Sequence, residues 1–484
     1  MIRPTSAFDS GRNLIPDSSN SRLGNLRKKR KSGVPFLEKN VYTDRKEPTQ
    51  RWAGGKEFEM KIPEILQRQA QRLEEYYSAH YRPLAPLVKQ CFLNTMETTV
   101  KELEDGSYFV ITGDIPAMWL RDSAAQVRPY VRFAREDEQL QRILEGVIEK
   151  QARLVCIDPY ANAFNESASG VGHQDETRLN DHVWERKYEV DSLCAPLYLA
   201  YTYWKTTGID RIFTDTWHEM LEHVAQTFAT EQEHDRSEYF FRRYDCVKSD
   251  TLPARGKGRP VNKTGMTWSG FRPSDDCCKF GYLIPANMMA VRALDYGEQI
   301  CRECYQDGAL ADRCRDLAQD ILDGIMDYGI VDHPKYGRIY AYETDGFGNY
   351  NLMDDANSPS LLAMPYLDFC DSQDALYRNT RRFLLSPDNP YYYEGKIAKG
   401  MGSPHTPAGY VWHIGIVMQA LTSTDRQEIL DCLEMLSRTH AGTNYMHEGF
   451  DPDDPQQYTR PWFAWANTLF AELMVNLMEE GFFE

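Results

Sequence analysis

Long apolar runs are missing from this sequence. No stretch reaches the roughly 18 apolar residues that a helix needs to cross a bilayer, and no early stretch offers the roughly 7 to 15 apolar residues of a signal peptide. The sequence therefore predicts a soluble, cytoplasmic protein that is not secreted and has no membrane partner.

Cysteine patterns typical of a disulfide framework or a zinc site are missing as well. The 11 cysteines are odd in number and scattered, and the adjacent Cys277 and Cys278 are poorly placed for an ordinary bridge. Cys301 and Cys304 are spaced as C-x-x-C, but no second Cys or His pair follows at zinc spacing, so we expect two buried helical thiols. These features favour a reducing compartment and a protein without a metal or other cofactor.

Positive charge is outweighed by negative charge outside the first 50 residues, where 44 Lys and Arg stand against 67 Asp and Glu. The formal net charge is −17, although residues 1–50 contain 11 Lys and Arg against 5 Asp and Glu. The remaining acidic surface repels phosphate backbones and argues against a nucleic-acid partner. The basic, Ser/Asn/Gly-rich start has no apolar periodicity, which predicts a disordered extension over residues 1–56 ahead of a single domain over 57–484.

Two kinds of helical segment alternate in that domain. One kind has a narrow apolar stripe, as in the run Leu140, Ile143, Leu144, Val147 and Ile148. The other is apolar nearly all round, as in "AGYVWHIGIVMQAL". Five such segments are predicted to begin at a proline, a residue that fits the first helical position: Pro116, Pro285, Pro359, Pro407 and Pro461. With residues 183–204 as a sixth inner helix, the alternation predicts an all-α (α/α)6 toroid.

The loops ahead of the inner helices hold most of the candidate chemistry. Parallel inner helices would bring these loops together at one end of the toroid. Short extended runs, "SYFVIT", "EYFFRRY" and "GRIYAYET", are predicted to decorate that end as strands or hairpins. The converging loops contain Asp114, Arg121, Asp122, Arg272, Asp275, Asp276, Asp354, Asp355, Asn357, His405, His447 and Glu448.

Three uses of such a pocket are open from the residues alone. Glycoside hydrolysis needs one protonated and one ionised carboxyl group, which paired and crowded acids can supply. Magnesium-assisted diphosphate chemistry uses Asp-rich motifs, but "DDCCK" and "DDANS" each lack the third acid of a DDxxD run. A non-catalytic carbohydrate-binding toroid would use the same acids only as helix caps.

Arg121 and Asp122 lie within an otherwise apolar helical segment, "MWLRDSAAQV". Buried charges must be paired or solvated, so these two either contact a polar ligand at the pocket floor or form an internal ion pair.

Six motifs in order resemble glycoside hydrolase family 125. They are "TGDIPAMWLRDSAAQVRPY" (112–130), "KYEVDSLCAPLYLAY" (187–201), "WSGFRPSDD" (268–276), "DDANSPSLLAMPYL" (354–367), "GSPHTP" (402–407) and "MHEGFDPDD" (446–454). The resemblance spans about residues 57–484 and leaves the basic extension outside.

This resemblance implies an (α/α)6 barrel that removes terminal α-1,6-linked mannose, without a metal and with inversion, from mannose-containing oligosaccharides or N-glycan fragments. It implies Asp275 as general acid, with Asp276 as the alternative, and Glu448 as general base. Carried over as sugar ligands are Arg121, Asp122, Arg272, Asp276, Asp355, Asn357, His405 and His447. The alternatives kept are another specificity on the same toroid, such as an α-glucosidase, and a binding toroid without turnover.

Overall fold

Residues 60–484 are described by a computed structural model, in which they belong to one compact unit. The basic extension predicted for residues 1–56 lies outside the described residues. Between residues 60 and 484 the α-helices are α1 (Glu64–His80), α2 (Ala85–Thr98), α3 (Leu120–Val127), α4 (Glu138–Ile157), α5 (Val190–Thr207), α6 (Asp215–Glu231), α7 (Pro253–Gly256), α8 (Ile284–Ile300), α9 (Gly308–Tyr328), α10 (Ala375–Leu384), α11 (His413–Leu421), α12 (Arg426–Thr439) and α13 (Ala464–Glu479).

Inner and outer helices alternate around a barrel, which confirms the predicted (α/α)6 class. The inner helix α3 packs on α5 and α13, α5 packs on α8, and α11 packs on α13. Residues 359–367, a buried run of turns, take the inner position between α9 and α10. The outer positions belong to α2, α4, α6, α9, α10 and α12, and α1 packs on α2.

Burial follows the two predicted apolar patterns. The stripe of α4 from Leu140 to Ile148 is buried, while the residues between its members are partly or fully exposed. In the inner helix α13, all but Asn476 and Glu479 are buried, since this helix has neighbours on most sides. None of the described helices has the length and apolar character required to cross a membrane.

Short antiparallel strands lie among the helices. They are β1 (Val100–Glu102), β2 (Tyr108–Val110), β3 (Met118–Trp119), β4 (Ala163–Phe164), β5 (Val183–Glu185), β6 (Tyr282–Leu283), β7 (Ile330–His333), β8 (Gly337–Tyr340), β9 (Glu343–Thr344), β10 (Tyr350–Asn351), β11 (Tyr392–Glu394), β12 (Lys399–Met401), β13 (Val411–Trp412) and β14 (Gly449–Phe450). Their sheets are β1-β2, β3-β4-β5, β6-β9-β10, β7-β8, β11-β12 and β13-β14.

Two of the three predicted extended runs contain strands. "SYFVIT" contains β2, and "GRIYAYET" contains β8 and β9. The prediction for "EYFFRRY" is wrong, because this run forms no strand and only Arg242 makes an isolated bridge, to Glu176.

The predicted helix starts are correct at one proline, Pro285, which lies in the first turn of α8. The other inner helices begin three to six residues after the expected proline, at Leu120, His413 and Ala464. Pro359 begins buried turns and no helix. Residues between each of these prolines and its helix are extended and pair with other segments. Strand β3 precedes α3, β13 precedes α11, and Phe463 bridges to Gly113 just before α13.

Inner and outer helices begin differently. Five outer helices have a side-chain cap that accepts a hydrogen bond from a first-turn backbone N–H, and the capping residues are Asp137, Thr214, Asp307, Asp374 and Asp425. The five inner helices have no side-chain cap, and the residues at their N-cap positions are Trp119, Glu189, Leu283, Trp412 and Phe463. None of the acids expected in the site is the N-cap residue of a described helix, so helix capping does not explain them.

All 11 cysteines fall within the described residues, and all are free. Cys301 and Cys304 lie in one π-helical turn that follows α8, where Cys301 is buried and Cys304 is half-buried. The two thiols are helical as expected, but the expectation that both are buried is wrong for Cys304.

Candidate active site

The Asp275-Asp276 pair lies in a tight loop that is closed by a bridge between Phe271 and Cys277. The backbone N–H of Arg272 donates to the Asp276 carbonyl at 2.8 Å, and that of Asp275 donates to the Arg272 carbonyl at 2.9 Å. Asp275 has a φ of 65°, a left-handed conformation that is uncommon outside glycine. In this turn the two adjacent carboxyl groups have different partners.

The Asp275 carboxyl group is held on one oxygen and partly open to solvent. Its Oδ1 accepts hydrogen bonds from Asn162 Nδ2 at 3.1 Å and Trp119 Nε1 at 3.4 Å. Lys187 Nζ donates to its backbone carbonyl at 2.8 Å. The Asp275 side chain is 28% exposed, compared with 7% for Asp122 and 9% for Glu448, so it is the most accessible of these acids.

The pKa of Asp275 reflects opposing influences. Burial raises it, but the nearby cations Lys187 and Arg121 outweigh burial and lower the pKa below the ordinary aspartate value. Glu189 is hydrogen-bonded to Asp275, and burial raises the pKa of Glu189 well above its ordinary value despite the opposing charge of Arg121. The two carboxyl groups therefore titrate as a pair.

Asp276 contacts His405 instead. Its Oδ1 lies 3.3 Å from His405 Nδ1. Burial lowers the pKa of His405, but the hydrogen bond to Asp276 and the charges of Glu448 and Asp275 raise it to about 9. His405 is thus a cation at neutral pH, and it interacts with both carboxyl groups expected to be catalytic.

Glu448 directly precedes β14 and has one cationic neighbour of its own. Arg460 Nη1 lies 3.7 Å from Glu448 Oε1. The same guanidinium binds Asp114, with Nε 3.1 Å from Oδ1. The ion pair with Asp114 therefore holds the Arg460 guanidinium in place beside Glu448.

Arg121 and Asp122 lie in the first turn of the inner helix α3. Arg121 Nη1 donates to Glu189 at 2.6 Å and to Asp191 at 2.9 Å, so an internal ion pair accounts for its burial. Asp122 Oδ2 lies 3.7 Å from Arg121 Nε. Burial, partly offset by Arg121 and Arg460, raises the pKa of Asp122 to about 6.

Three further predicted sugar ligands support the loop of the Asp pair. Arg272 Nε donates to Glu343 Oε1 at 2.7 Å. Asp355 accepts a hydrogen bond from Ser274 at 2.7 Å and lies 3.3 Å from Asn357 Nδ2. Burial raises the pKa of Asp355 although Arg272 opposes it. These residues lie beside the site, while Asp354 caps the buried turns at Leu361 and Leu362.

His447 is buried in the loop that carries Glu448. Its ring stacks on Tyr458 with centroids 3.8 Å apart. Its Nε2 lies 3.1 Å from Thr443 Oγ1, and its Nδ1 lies 3.3 Å from the Arg460 carbonyl. Burial lowers the pKa of His447 to about 4, so the ring is neutral and supports the loop.

Several site residues were not predicted from the sequence: Trp119, Asn162, Lys187, Glu189 and Arg460. Trp119, Lys187 and Glu189 lie within the motifs "TGDIPAMWLRDS" and "KYEVDS", which could have pointed to them. Asn162 stands in "DPYANAF", outside every motif, and only the pairing of β3 with β4 brings it beside Asp275.

The fold and the buried acids together define a glycoside hydrolase. Residues 82–475 match the family of metal-independent α-mannosidases, GH125, and the chain belongs to this family. It is a glycosidase of the α-mannosidase class.

Two relatives illustrate the family. The chain is 40% identical over 423 residues to the meiotically up-regulated gene 157 protein of Schizosaccharomyces pombe, covering 82% of each chain. It is 44% identical, with a TM-score of 0.84, to a metal-independent α-mannosidase of Streptococcus pneumoniae that was solved as a non-productive complex with α-1,6-mannobiose. That match covers 86% of this chain and 98% of the Streptococcus protein.

Proposed function

We propose that this protein is an exo-acting hydrolase that removes non-reducing terminal α-1,6-linked mannose with inversion of configuration. The α-1,6-mannobiose bound to the Streptococcus relative supports the substrate. The observation that carries the proposal is the position of His405, which lies 3.3 Å from Asp276 and feels the charges of Asp275 and Glu448, so that acids from two loops surround one cation on a third.

Asp275 is the proposed general acid. It is the more exposed member of the Asp pair, and Asn162 and Trp119 orient its Oδ1. In its protonated form it donates to the oxygen that leaves C1 of the terminal mannose. Asp276 is the proposed partner of His405, through which it shapes the sugar site.

Glu448 is the proposed general base. Its ionised carboxylate removes a proton from a water that attacks C1 on the face opposite the leaving group. An inverting pair leaves room for that water, so the two carboxyl groups are expected to stand roughly 6.5 to 9.5 Å apart around the substrate. Arg460 lies beside this carboxyl group, with Nη1 3.7 Å from Glu448 Oε1.

Polar side chains around the acids are the proposed mannose ligands. Asp122 and His405 are the favoured contacts, because each belongs to the charge network that joins Asp275 to Glu448. Arg121, Arg272, Asp355, Asn357 and His447 are proposed to act mainly by holding these groups in place, as their internal hydrogen bonds indicate.

Exo action requires a pocket that is closed beyond the terminal sugar. The proposed walls are residues 242–273 and the segment "DPDDPQQYTRPW" (451–462). The first wall reaches the catalytic loop, since the Cys277 N–H donates to the Ser249 carbonyl at 2.7 Å. The second carries Arg460 and Tyr458, which contact Glu448 and His447.

A linkage panel with a catalytic variant tests this proposal. The unmutated protein should hydrolyse α-1,6-mannobiose faster than the α-1,2 and α-1,3 isomers and faster than α-glucosides. Glu448→Gln should abolish turnover while mannobiose still binds in calorimetry. Preference for a glucoside would replace the mannose assignment, and binding without turnover by the unmutated protein would favour a non-catalytic toroid.

A further inference from the structure

Glu189 is a buried acid that the mechanism above does not use. It stands at the N-cap position of the inner helix α5 and is 1% exposed. Its Oε2 accepts hydrogen bonds from Arg121 at 2.6 Å and Ser192 at 2.8 Å. Full burial of a carboxyl group with these donors gives it a fixed orientation.

Glu189 and Asp275 share their neighbours. The side-chain amide of Asn162 lies 3.1 Å from Asp275 Oδ1 and 3.4 Å from Glu189 Oε1. Arg121 reaches both acids, at 2.6 Å from Glu189 and 4.0 Å from Asp275. These shared donors hold the two carboxyl groups side by side, so that one can donate a hydrogen bond to the other when it is protonated.

A hydrogen bond between two carboxyl groups requires a proton. An ionised carboxylate only accepts hydrogen bonds, whereas a protonated one has a single O–H donor. Two neighbouring carboxyl groups also repel each other when both are ionised, which favours retention of one proton by the pair. Burial of Glu189 favours its protonated form as well, so the pair carries one proton despite the charges of Arg121 and Lys187.

We propose that Glu189 and Asp275 hold one proton between them and that Glu189 is the positioning residue that keeps this proton beside the general acid. The inference rests on the proposed function, because it assigns the source of the proton that Asp275 donates. Glu189 is buried behind Asp275 and acts only through it.

The proton step balances as follows. The shared proton passes to Asp275 and then to the leaving oxygen, the bond from C1 to that oxygen breaks, and water forms the new bond at C1. Glu448 takes the proton of that water. The Glu189-Asp275 pair is left fully ionised against Arg121 and Lys187, and protonation from solvent restores it after Glu448 releases its proton.

Other charged groups around the pair affect its titration. Arg121 and Asp122 face it from α3, Asp191 from α5, Glu185 and Lys187 from the segment ahead of α5, and His405 from its own loop. The cations favour loss of the shared proton and the acids favour its retention. Because Glu189 stores the proton, its removal should move the alkaline limb of kcat/KM to lower pH.

Glu189→Gln, assayed on two substrates, tests the inference. For α-1,6-mannobiose, kcat/KM should fall about 100-fold, within the usual range for general acid catalysis. For 2,4-dinitrophenyl α-mannoside the loss should be far smaller, because this leaving group departs without a proton. Glu189→Asp, which keeps an ionisable group, should restore part of the mannobiose activity and the alkaline limb.

Asp191→Asn is the matched control. Asp191 is buried and binds the same Arg121 at 2.9 Å, but no hydrogen bond joins it to Asp275. Replacement of Asp191 should therefore change kcat/KM by the same factor for both substrates. If Glu189→Gln also lowers both rates equally and leaves the pH profile unchanged, Glu189 has only a structural role and the inference fails.

The two failures are distinguishable. If the unmutated protein hydrolyses neither mannoside, the proposed function itself is wrong. If Asp275→Asn shows the leaving-group dependence but neither Glu189 variant does, Asp275 is the acid and only the shared proton is refuted. Circular dichroism and thermal melting of each variant exclude misfolding as the cause.

Discussion

The outer and inner helices of this barrel begin in opposite ways. Five of the six outer helices satisfy a first-turn N–H group with an Asp or Thr side chain, as Asp374 does for Tyr377 at 2.9 Å, and α2 is the exception. The five inner helices have no such cap, and their N-cap positions are occupied by Trp119, Glu189, Leu283, Trp412 and Phe463. Uncapped helix starts leave backbone donors and the positive end of the helix dipole at the site.

This difference assigns stability and chemistry to different helices of one fold. The capping acids of the outer helices stabilise the helix that each one precedes. Acids on the inner ring stand in the first turn, as Asp122 and Asp191 do, or on the loop, as Asp275 and Glu448 do. Changes on the two rings should therefore have different consequences, and the following variants test this comparison.

The largest effect is expected within the Asp pair itself. Asp275→Asn should lower kcat on α-1,6-mannobiose by about 10²- to 10⁴-fold, because it removes the proton donor. Asp276→Asn should cost less and act mainly on KM, since Asp276 contacts His405. Steady-state kinetics of the two adjacent variants decides between them, and a larger kcat loss in Asp276→Asn would exchange their roles.

A pH-dependent change in stability is expected for His405. Its folded pKa of about 9 lies above the ordinary value of 6.5, so folding favours the protonated ring. The stabilisation should be complete below pH 6.5 and disappear as the pH rises through 9. Melting temperatures of the protein and of His405→Gln should differ most at acidic pH and converge above pH 9. A gap that is constant with pH would contradict this titration.

A smaller, purely structural effect is expected on the outer ring. Asp374→Ala removes the cap of α10 and should lower the free energy of unfolding by about 1 kcal/mol. The catalytic rate at 25 °C should stay unchanged, because Asp374 lies on an outer helix. Urea unfolding and kinetics on the same sample check both statements. A large kinetic loss would show that the two rings are coupled.

No effect is expected from chelation. Hydrolysis by acid and base carboxyl groups needs no metal, so prolonged EDTA treatment should leave the rate on α-1,6-mannobiose unchanged. Loss of activity that added calcium, zinc or magnesium restores would refute this mechanism.

Helical periodicity was enough to predict the barrel. The narrow stripe of α4 and the all-round apolar pattern of α13 correctly separated outer from inner helices. The starts predicted at Pro116 and Pro407 were wrong because proline preference is local, whereas the pairing of β3 and β13 with distant strands determines where α3 and α11 begin.

The site was predictable only as far as its residues lie in recognisable motifs. The Asp pair and Glu448 were found in this way. The left-handed turn at Asp275, which gives its carboxyl group different partners from those of Asp276, depends on the loop closed between Phe271 and Cys277. Asn162 and Arg460 become relevant only through tertiary contacts, which residue spacing does not reveal.

Proton NMR of the sugar first released from α-1,6-mannobiose tests the central claim most directly. With Asp275 as acid and Glu448 as base on opposite faces of C1, the first product is β-mannose, and α-mannose appears later by mutarotation. Release of α-mannose first would contradict the inverting mechanism and the roles proposed for both residues.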